Sequence, residues 1–225
     1  DESKKSYVIS ITFKGRPVGT FKTEGTKKAC ERFTIPGDIF HLWSPEEPNL
    51  YDVLVTCVQD GKTIDSVRSY FGMRKFSIQG DRFHLNNAPY QLRLILDQGY
   101  HPNSLLAWPD DDLMTEDILL SKQMGFNGAR KHEKIEPGHF MHEADRLGFL
   151  VSLEMPSAYS FRPSEDFVKE WTRAMARDHN HPSLFMYVPF NESWGVRNIA
   201  RDSRAKDYVT GIYHLTKSLD PTRPV

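Results

Sequence analysis

Four stretches of this sequence place carboxylate, amide, imidazole and guanidinium groups directly after runs of apolar residues. They are Asp97-Gln98-Gly99-Tyr100-His101, Arg130-Lys131-His132-Glu133, Glu154-Met155-Pro156-Ser157 and Asn191-Glu192-Ser193-Trp194. If each apolar run is a strand, the strand ends carry Asp97, His101, Arg130, His132, Glu154, Asn191, Glu192 and Trp194 to one rim. Parallel α/β folds bind ligands at the carboxyl ends of their strands, so chemistry is expected there. Arg130 beside several carboxylates suits an ion pair that holds one of them ionised.

Other motifs say less. His139, His142 and Glu143 share a helix, but His-x-x-His-Glu fits neither usual zinc-protease spacing and reads as a solvated helix face. His101, His132 and Glu154 would serve a metal-dependent hydrolase only if all three converged. Nothing resembles a phosphate-binding Gly-rich loop.

The elements that must position the rim change character near residue 90. Before it, short β-forming runs (7–13, 18–23, 28–35, 50–59, 63–69, 71–78 and 82–85) alternate with turn residues. Asp60-Gly61 accepts the positive φ that a tight hairpin needs. Turn signals at about 8–12-residue spacing predict an antiparallel sandwich. After residue 90, strands at 91–98, 127–131, 149–154 and 183–191 alternate with helices at 110–124, 137–147, 164–178 and 202–219. That alternation predicts parallel βαβ units. Asp110, Asp111 and Asp112 favour the first helix N-terminus, Gly148 the second helix C-cap, and Ser164 the third helix N-cap. A fifth strand is expected to begin at Arg223-Pro224-Val225. A closed eightfold barrel takes about 250 residues, so the chain reads as a fragment.

Composition bounds the function. The 225 residues are 39% hydrophobic and 26% charged, enough to bury a core. With 29 Lys+Arg against 30 Asp+Glu, no basic field recruits nucleic acid or a membrane surface. No run approaches the roughly 18 uninterrupted apolar residues of a membrane span. The opening Asp1-Glu2-Ser3-Lys4-Lys5 has no hydrophobic stretch behind it, so no signal peptide is read. Cys30 and Cys57 fall in predicted strands, as one bridge or as two buried thiols.

The stretch from Asp178 to Glu192, an Asn180-His181-Pro182-Ser183 turn leading through a strand to Asn191-Glu192, resembles the acid/base signature of glycoside hydrolase family 2. That is the β-galactosidase, β-glucuronidase and β-mannosidase family. The stretch Leu42-Trp43-Ser44-Pro45-Glu46-Glu47-Pro48-Asn49-Leu50-Tyr51 is similar to the family's immunoglobulin-like domain. Phe71-Gly72-Met73-Arg74-Lys75 with Phe83-His84-Leu85-Asn86 resembles its junction into the catalytic barrel. The resemblance implies a multidomain chain. An immunoglobulin-like β-sandwich, incomplete at its start, would span residues 1–80, and the first half of a (β/α)8 TIM barrel, cut after about four βα units, residues 81–225.

The implied function is that of a retaining exo-β-glycosidase, β-galactosidase-like, hydrolysing terminal β-linked sugars without metal or cofactor. Glu192 would be the acid/base, protonating the leaving oxygen and then deprotonating water, while Asn191 bonds the sugar 2-hydroxyl. Asp97, His101, Arg130, His132, Glu154 and Trp194 would line the substrate pocket, with Tyr159 a further stacking platform. The nucleophile, about 5–5.5 Å from the acid/base in retaining enzymes, would sit on the seventh strand, outside this chain. The chain alone is therefore expected to be inactive, unless Glu154 takes that role. Three departures from the family pattern stand where the sugar pocket is shaped: Tyr187 for the usual Trp, the shortened Arg130-Lys131-His132-Glu133-Lys134, and Arg93 to Tyr100. They leave the sugar open.

Asn191-Glu192-Ser193 also fits a glycosylation sequon, and a glycan there would plug the pocket. That suits a bacterial periplasm or cytoplasm. An open sheet edge and unfilled barrel interior predict self-association into a homo-oligomer. The non-enzymatic rival is a carbohydrate-binding or interaction module on a degenerate glycosidase fold.

Overall fold

Alternation along residues 5–13 puts Ile9, Ile11 and Phe13 on one side, and that side is the one that packs. In the computed structural model, which describes residues 5–24, 32–157 and 164–225 (all but the Trp194 side chain), this segment is strand β1 (Lys5–Phe13). It turns through Lys14 and Gly15, both left-handed (φ 47° and 78°), into β2 (Arg16–Glu24). Asp60 and Gly61 (φ 51° and 75°) likewise join β3 (Tyr51–Gln59) to β4 (Lys62–Phe71), the hairpin that Asp-Gly predicts. The four strands form one antiparallel sheet in the order β2-β1-β3-β4. On it, Tyr51 stacks between Phe13 (4.9 Å) and Phe71 (5.0 Å), and its hydroxyl donates to the Ile39 carbonyl at 2.8 Å.

One expected strand is absent in its described part. Residues 32–35 run unpaired, with Phe33 packed at a tilt against Phe21 (4.9 Å) and edge-on to Phe71 (6.4 Å). Its apolar alternation reflects packing rather than a ladder. Cys57 is a free, half-buried thiol, and Cys30 lies outside the described residues.

This sheet belongs to one of two compact units, Asp1–Trp43 with Asn49–Met73; the other is Ser44–Pro48 with Arg74–Val225. The second begins with β5 (Phe76–Gln79), β6 (Arg82–Leu85) and β7 (Ala88–Pro89), a small antiparallel sheet. The sequence reading, with its boundary at residue 80, divides this sheet between domains; here it groups whole with the second unit.

There follow β8 (Leu94–Asp97), α1 (Asp111–Gln123), β9 (Gly128–Lys131), α2 (Gly138–Leu147), β10 (Leu150–Glu154), α3 (Glu165–Asp178), β11 (Leu184–Val188), the short α4 (Glu192–Gly195) and α5 (Ser203–Leu219). The strands are parallel, in the order β11-β10-β9-β8. The expected caps form, Ser164 accepting from the Phe167 N–H and Gly148 being left-handed, and Asp110 and Asp202 also cap their helices by accepting from the Leu113 and Arg204 N–H groups. At Gly128 only a glycine fits, because a Cβ would lie 2.6 Å from the Leu150 carbonyl on the neighbouring strand. Leu153 and Tyr187 pack with Trp171 and Ile212 under α3 and α5, so the alternate residues Ser152 and Glu154 face the other way. On that second face Leu96 is 57% exposed. Among the described residues no helix is long and apolar enough to cross a membrane.

The start of β11 is fastened by the motif that first drew attention to it. His181 Nδ1 lies 2.5 Å from Asp145 Oδ2, and the Ser183 N–H donates to Asp145 Oδ1 at 2.8 Å. Arg223 donates to the carbonyls of Leu184 (2.8 Å) and His179 (2.7 Å) and to Asp220 (2.5 Å). Arg74 donates to the carbonyls of Pro182 and Leu184, and burial beside Arg223 brings its guanidinium down to about 9. The Tyr187 N–H donates to the Pro224 carbonyl (3.0 Å), so residue 224 lies against β11, but the fifth strand expected at 223–225 is not formed among the described residues.

Burial pushes the Asp220 carboxyl up, but hydrogen bonds from Thr222 and Arg223 outweigh it and hold the group well below the usual carboxylate range. A depressed folded value stabilises the fold above the ordinary carboxylate pKa of about 3.9, and that contribution is lost as pH falls through the folded value. In urea titrations, the stability gap between wild type and Asp220→Asn is expected to be full at neutral pH and to narrow steadily below about pH 4. A gap independent of pH would show that Asp220 is not held ionised by the fold.

Candidate active site

Parity along the strands sorts the strand-end residues. In β9, Arg130 and Lys131 are neighbours and therefore face opposite sides of the sheet. Arg130 faces the side of Glu154. Its Nε donates to Glu154 Oε2 (2.9 Å) and its Nη2 to Glu154 Oε1 (3.2 Å) and to Asn191 Oδ1 (2.6 Å). Glu154 Oε1 also accepts from the Glu133 N–H (3.0 Å) and lies 3.1 Å from His132 Nδ1. Glu154 is thus a fully buried carboxylate with both oxygens engaged, and one guanidinium ties the ends of β9, β10 and β11 together. Fully buried, Glu154 does not line the cleft beside Asn191 and Glu192.

Glu192 follows Asn191 directly and opens α4 with a left-handed backbone (φ 51°). Asn191 is buried and Glu192 exposed, so the pair presents its carboxyl to solvent while its amide is held from beneath. Both line a cleft of about 490 Å³ with Gln98, Tyr100, His132 and Ser157. A buried Asn191 bonded to Arg130 also leaves no room for a glycan on its amide.

Two predicted site residues lie elsewhere. Asp97 pairs in register with Lys131 and bonds its ammonium on the helix side of the sheet, away from Glu154. Burial raises the Asp97 carboxyl, but Lys131 and the Gly99 N–H pull harder and hold it below the usual carboxylate range. Lys131 is itself buried, bonded to Glu136 (2.9 Å) and seated 4.2 Å from the Phe140 ring centroid. His101 stacks on Trp108 (4.3 Å), whose indole donates to Glu136 (2.7 Å). Asp97 and His101 therefore brace the loops beneath the cleft, through the buried Lys131 and through Lys134, which donates to the Gly99 carbonyl (3.0 Å) and sits 5.4 Å from the Trp108 ring, neither singled out in the sequence reading.

Tyr187 is a correction of the same kind. It packs edge-on against Trp171 (6.0 Å) and donates to Asp220 (2.9 Å) under the helices, so it does not shape the cleft. Tyr159 and the Trp194 side chain lie outside the described residues. The His101, His132 and Glu154 trio does not converge, and among the described residues no three His, Cys, Asp or Glu side chains gather as metal ligands. Glu143 is buried and bonded by Arg146 and Thr115, and His142 Nε2 lies 3.8 Å from its Oε1, an ion-pair cluster rather than a ligand set.

The sequence reading also missed Glu133 and Ser157, which line the cleft from the turns after β9 and β10. Their position directly behind Arg130 and Glu154 was the available signal.

Comparison with known proteins bears on the family and the fold. The model for glycosyl hydrolases family 2 matches residues 2–74, and that for the family 2 TIM barrel domain matches residues 158–225. The order is that of the immunoglobulin-like and barrel domains read from the sequence. A β-galactosidase of Psychromonas ingrahamii is 28% identical over 216 residues, covering 91% of this chain and 20% of its own length. A putative β-glucuronidase of Formosa agariphila is 29% identical over 199 residues, covering 81% of this chain and 17% of its own. The crystal structure of a Parabacteroides merdae β-glucuronidase superposes with a TM-score of 0.85 over 99% of this chain and 30% of that one, at 23% identity, a likeness of fold. The chain thus spans about a fifth of the length of these curated relatives. With two of the family's models taking in more than half of its residues between them, the chain belongs to glycosyl hydrolases family 2.

Proposed function

We propose that the full-length protein is a retaining exo-β-glycosidase, β-galactosidase-like, in which Glu192 is the acid/base. The observation that carries this reading is Arg130, which joins the buried Glu154 to Asn191 and so fixes the residue directly before Glu192 at the edge of a cleft. In this role Glu192 protonates the glycosidic oxygen as the C1–O bond breaks and a nucleophilic carboxylate bonds to C1. It then takes a proton from the water that displaces that carboxylate. The amide of Asn191, its oxygen occupied by Arg130, turns its N–H groups to the sugar 2-hydroxyl, a contact that strengthens as positive charge grows on the ring.

Glu154 is buried and absent from the cleft wall, which speaks against it as nucleophile; that group comes from a strand outside this chain, and the chain by itself is catalytically silent. Leu96, Leu120 of α1 and Met124 at its C-cap are exposed and mark faces that the rest of the barrel covers, or that drive self-association in its absence. The test is release of nitrophenol from nitrophenyl β-galactoside, β-glucuronide, β-mannoside and β-glucoside by the full-length protein. Turnover of the galactoside is the expected result. Tight sugar binding without hydrolysis of any of the four would support a carbohydrate-binding module instead.

A further inference from the structure

We propose that Lys131 is a positioning residue, which acts through two loops to fix one wall of the cleft; this deepens the glycosidase reading and rests on it. The loop from β8 to α1 (98–110) carries Gln98, Tyr100 and Leu106 to that wall, and the loop from β9 to α2 (132–137) carries His132. Lys131 is fully buried on the helix side of the sheet. Its ammonium donates to Asp97 at the root of the first loop and pairs with Glu136 (2.9 Å) near the end of the second. Two more bonds close the same seam. Trp108, near the end of the first loop, donates to Glu136 (2.7 Å), and Lys134, in the second, donates to the Gly99 carbonyl (3.0 Å). Arg177 of α3 donates to the Glu136 carbonyl (2.5 Å), so Glu136 is itself held from the helix layer.

Stability alone does not account for such a cluster. Buried ion pairs cost desolvation, and replacing one with apolar groups of like volume is often neutral or stabilising. What a satisfied buried pair does supply is a single, rigid geometry. The Lys131 ammonium is confined further by two rings, 4.2 Å from the Phe140 centroid and 5.6 Å from that of Trp108. The catalytic wall is placed independently, because Asn191, directly before Glu192, is tied down by Arg130 from the opposite side of β9. Loss of Lys131 therefore shifts the residues that seat the substrate and leaves the proton donor where it is. Misplacement by about 1 Å, even from a change far from the chemistry, can cost about a hundredfold.

The experiment measures kcat and KM of the full-length protein on nitrophenyl and alkyl β-galactosides, beside its melting temperature. Lys131→Met is expected to raise KM about tenfold with kcat within about twofold of wild type, and by the same factor on both substrates. The double variant Lys131→Met with Asp97→Asn leaves Lys134 to balance Glu136, and is expected to regain melting temperature while KM stays raised. A wild-type KM in either variant, a loss carried by kcat, or KM recovering together with melting temperature would overturn the assignment. If Lys131→Met does not fold, the double variant decides; failure of both to fold shows a structural role and rejects the proposal. If wild type hydrolyses no glycoside, the glycosidase reading fails, and Lys131 is judged by the rise in melting temperature that galactose produces. That rise must be smaller in the double variant than in wild type; an equal rise, or none in wild type, rejects the proposal.

Discussion

In the full-length protein, Glu192→Gln is expected to cut turnover of alkyl β-glycosides by about a hundred- to ten-thousand-fold, the usual scale of general acid–base catalysis. The loss should depend on the leaving group. An alkoxide departs only if it is protonated as the bond breaks, whereas a nitrophenolate leaves unaided, so glycosylation by nitrophenyl substrates should survive. The second step still needs a base to deprotonate water, so the variant should accumulate glycosyl-enzyme and show a burst of nitrophenol followed by a slow steady state. Azide needs no deprotonation and should restore turnover in the variant while leaving wild type unaffected. Equal loss on alkyl and nitrophenyl substrates, with no burst and no rescue, would remove Glu192 from the acid/base role.

The second large effect concerns Arg130. Glu154 is 0% exposed, and Arg130, whose side chain is 33% exposed, supplies two of its hydrogen bonds. Removing one partner of a buried pair leaves an uncompensated charge, with a cost of about 3–5 kcal/mol. The partial exposure of Arg130 places Arg130→Ala near the lower end, roughly 3 kcal/mol, read from urea unfolding. The double variant Arg130→Met with Glu154→Leu, which removes both charges, should recover most of that stability. It should not recover activity, because Asn191 has lost the group that orients it. A loss below about 1 kcal/mol in Arg130→Ala would show that His132 and the Glu133 N–H satisfy Glu154 on their own.

Much of this organisation was legible in the residues. The β-to-βαβ change near residue 90, the Asp60-Gly61 hairpin and the helix caps all rest on local rules that tertiary packing did not override. The rim was legible too, since every apolar run ends in polar groups. Which side of the sheet each group faces was not. Arg130 and Lys131 are adjacent, and the parallel register pairs Asp97 with Lys131, so one residue of parity separates a bracing ion pair from the cleft. Register is a property of two strands together, and single-strand patterns do not carry it. The same holds for Tyr187, whose hydroxyl finds Asp220 thirty-three residues later in the chain. The Asn180-His181-Pro182-Ser183 turn was noticed for its company with Glu192, yet its work is mechanical: it anchors the start of the strand that leads to Asn191 and Glu192.

The left-handed backbone shared by Glu133 and Glu192 sets two kinds of selection against each other. A population screened only for thermal resistance should drift toward glycine at both sites, since glycine relieves the strain at no steric cost. A population screened for growth on the substrate should purge the same changes. Evolutionary histories that relaxed the second pressure would leave a well-folded, glycine-bearing descendant that no longer turns over sugar.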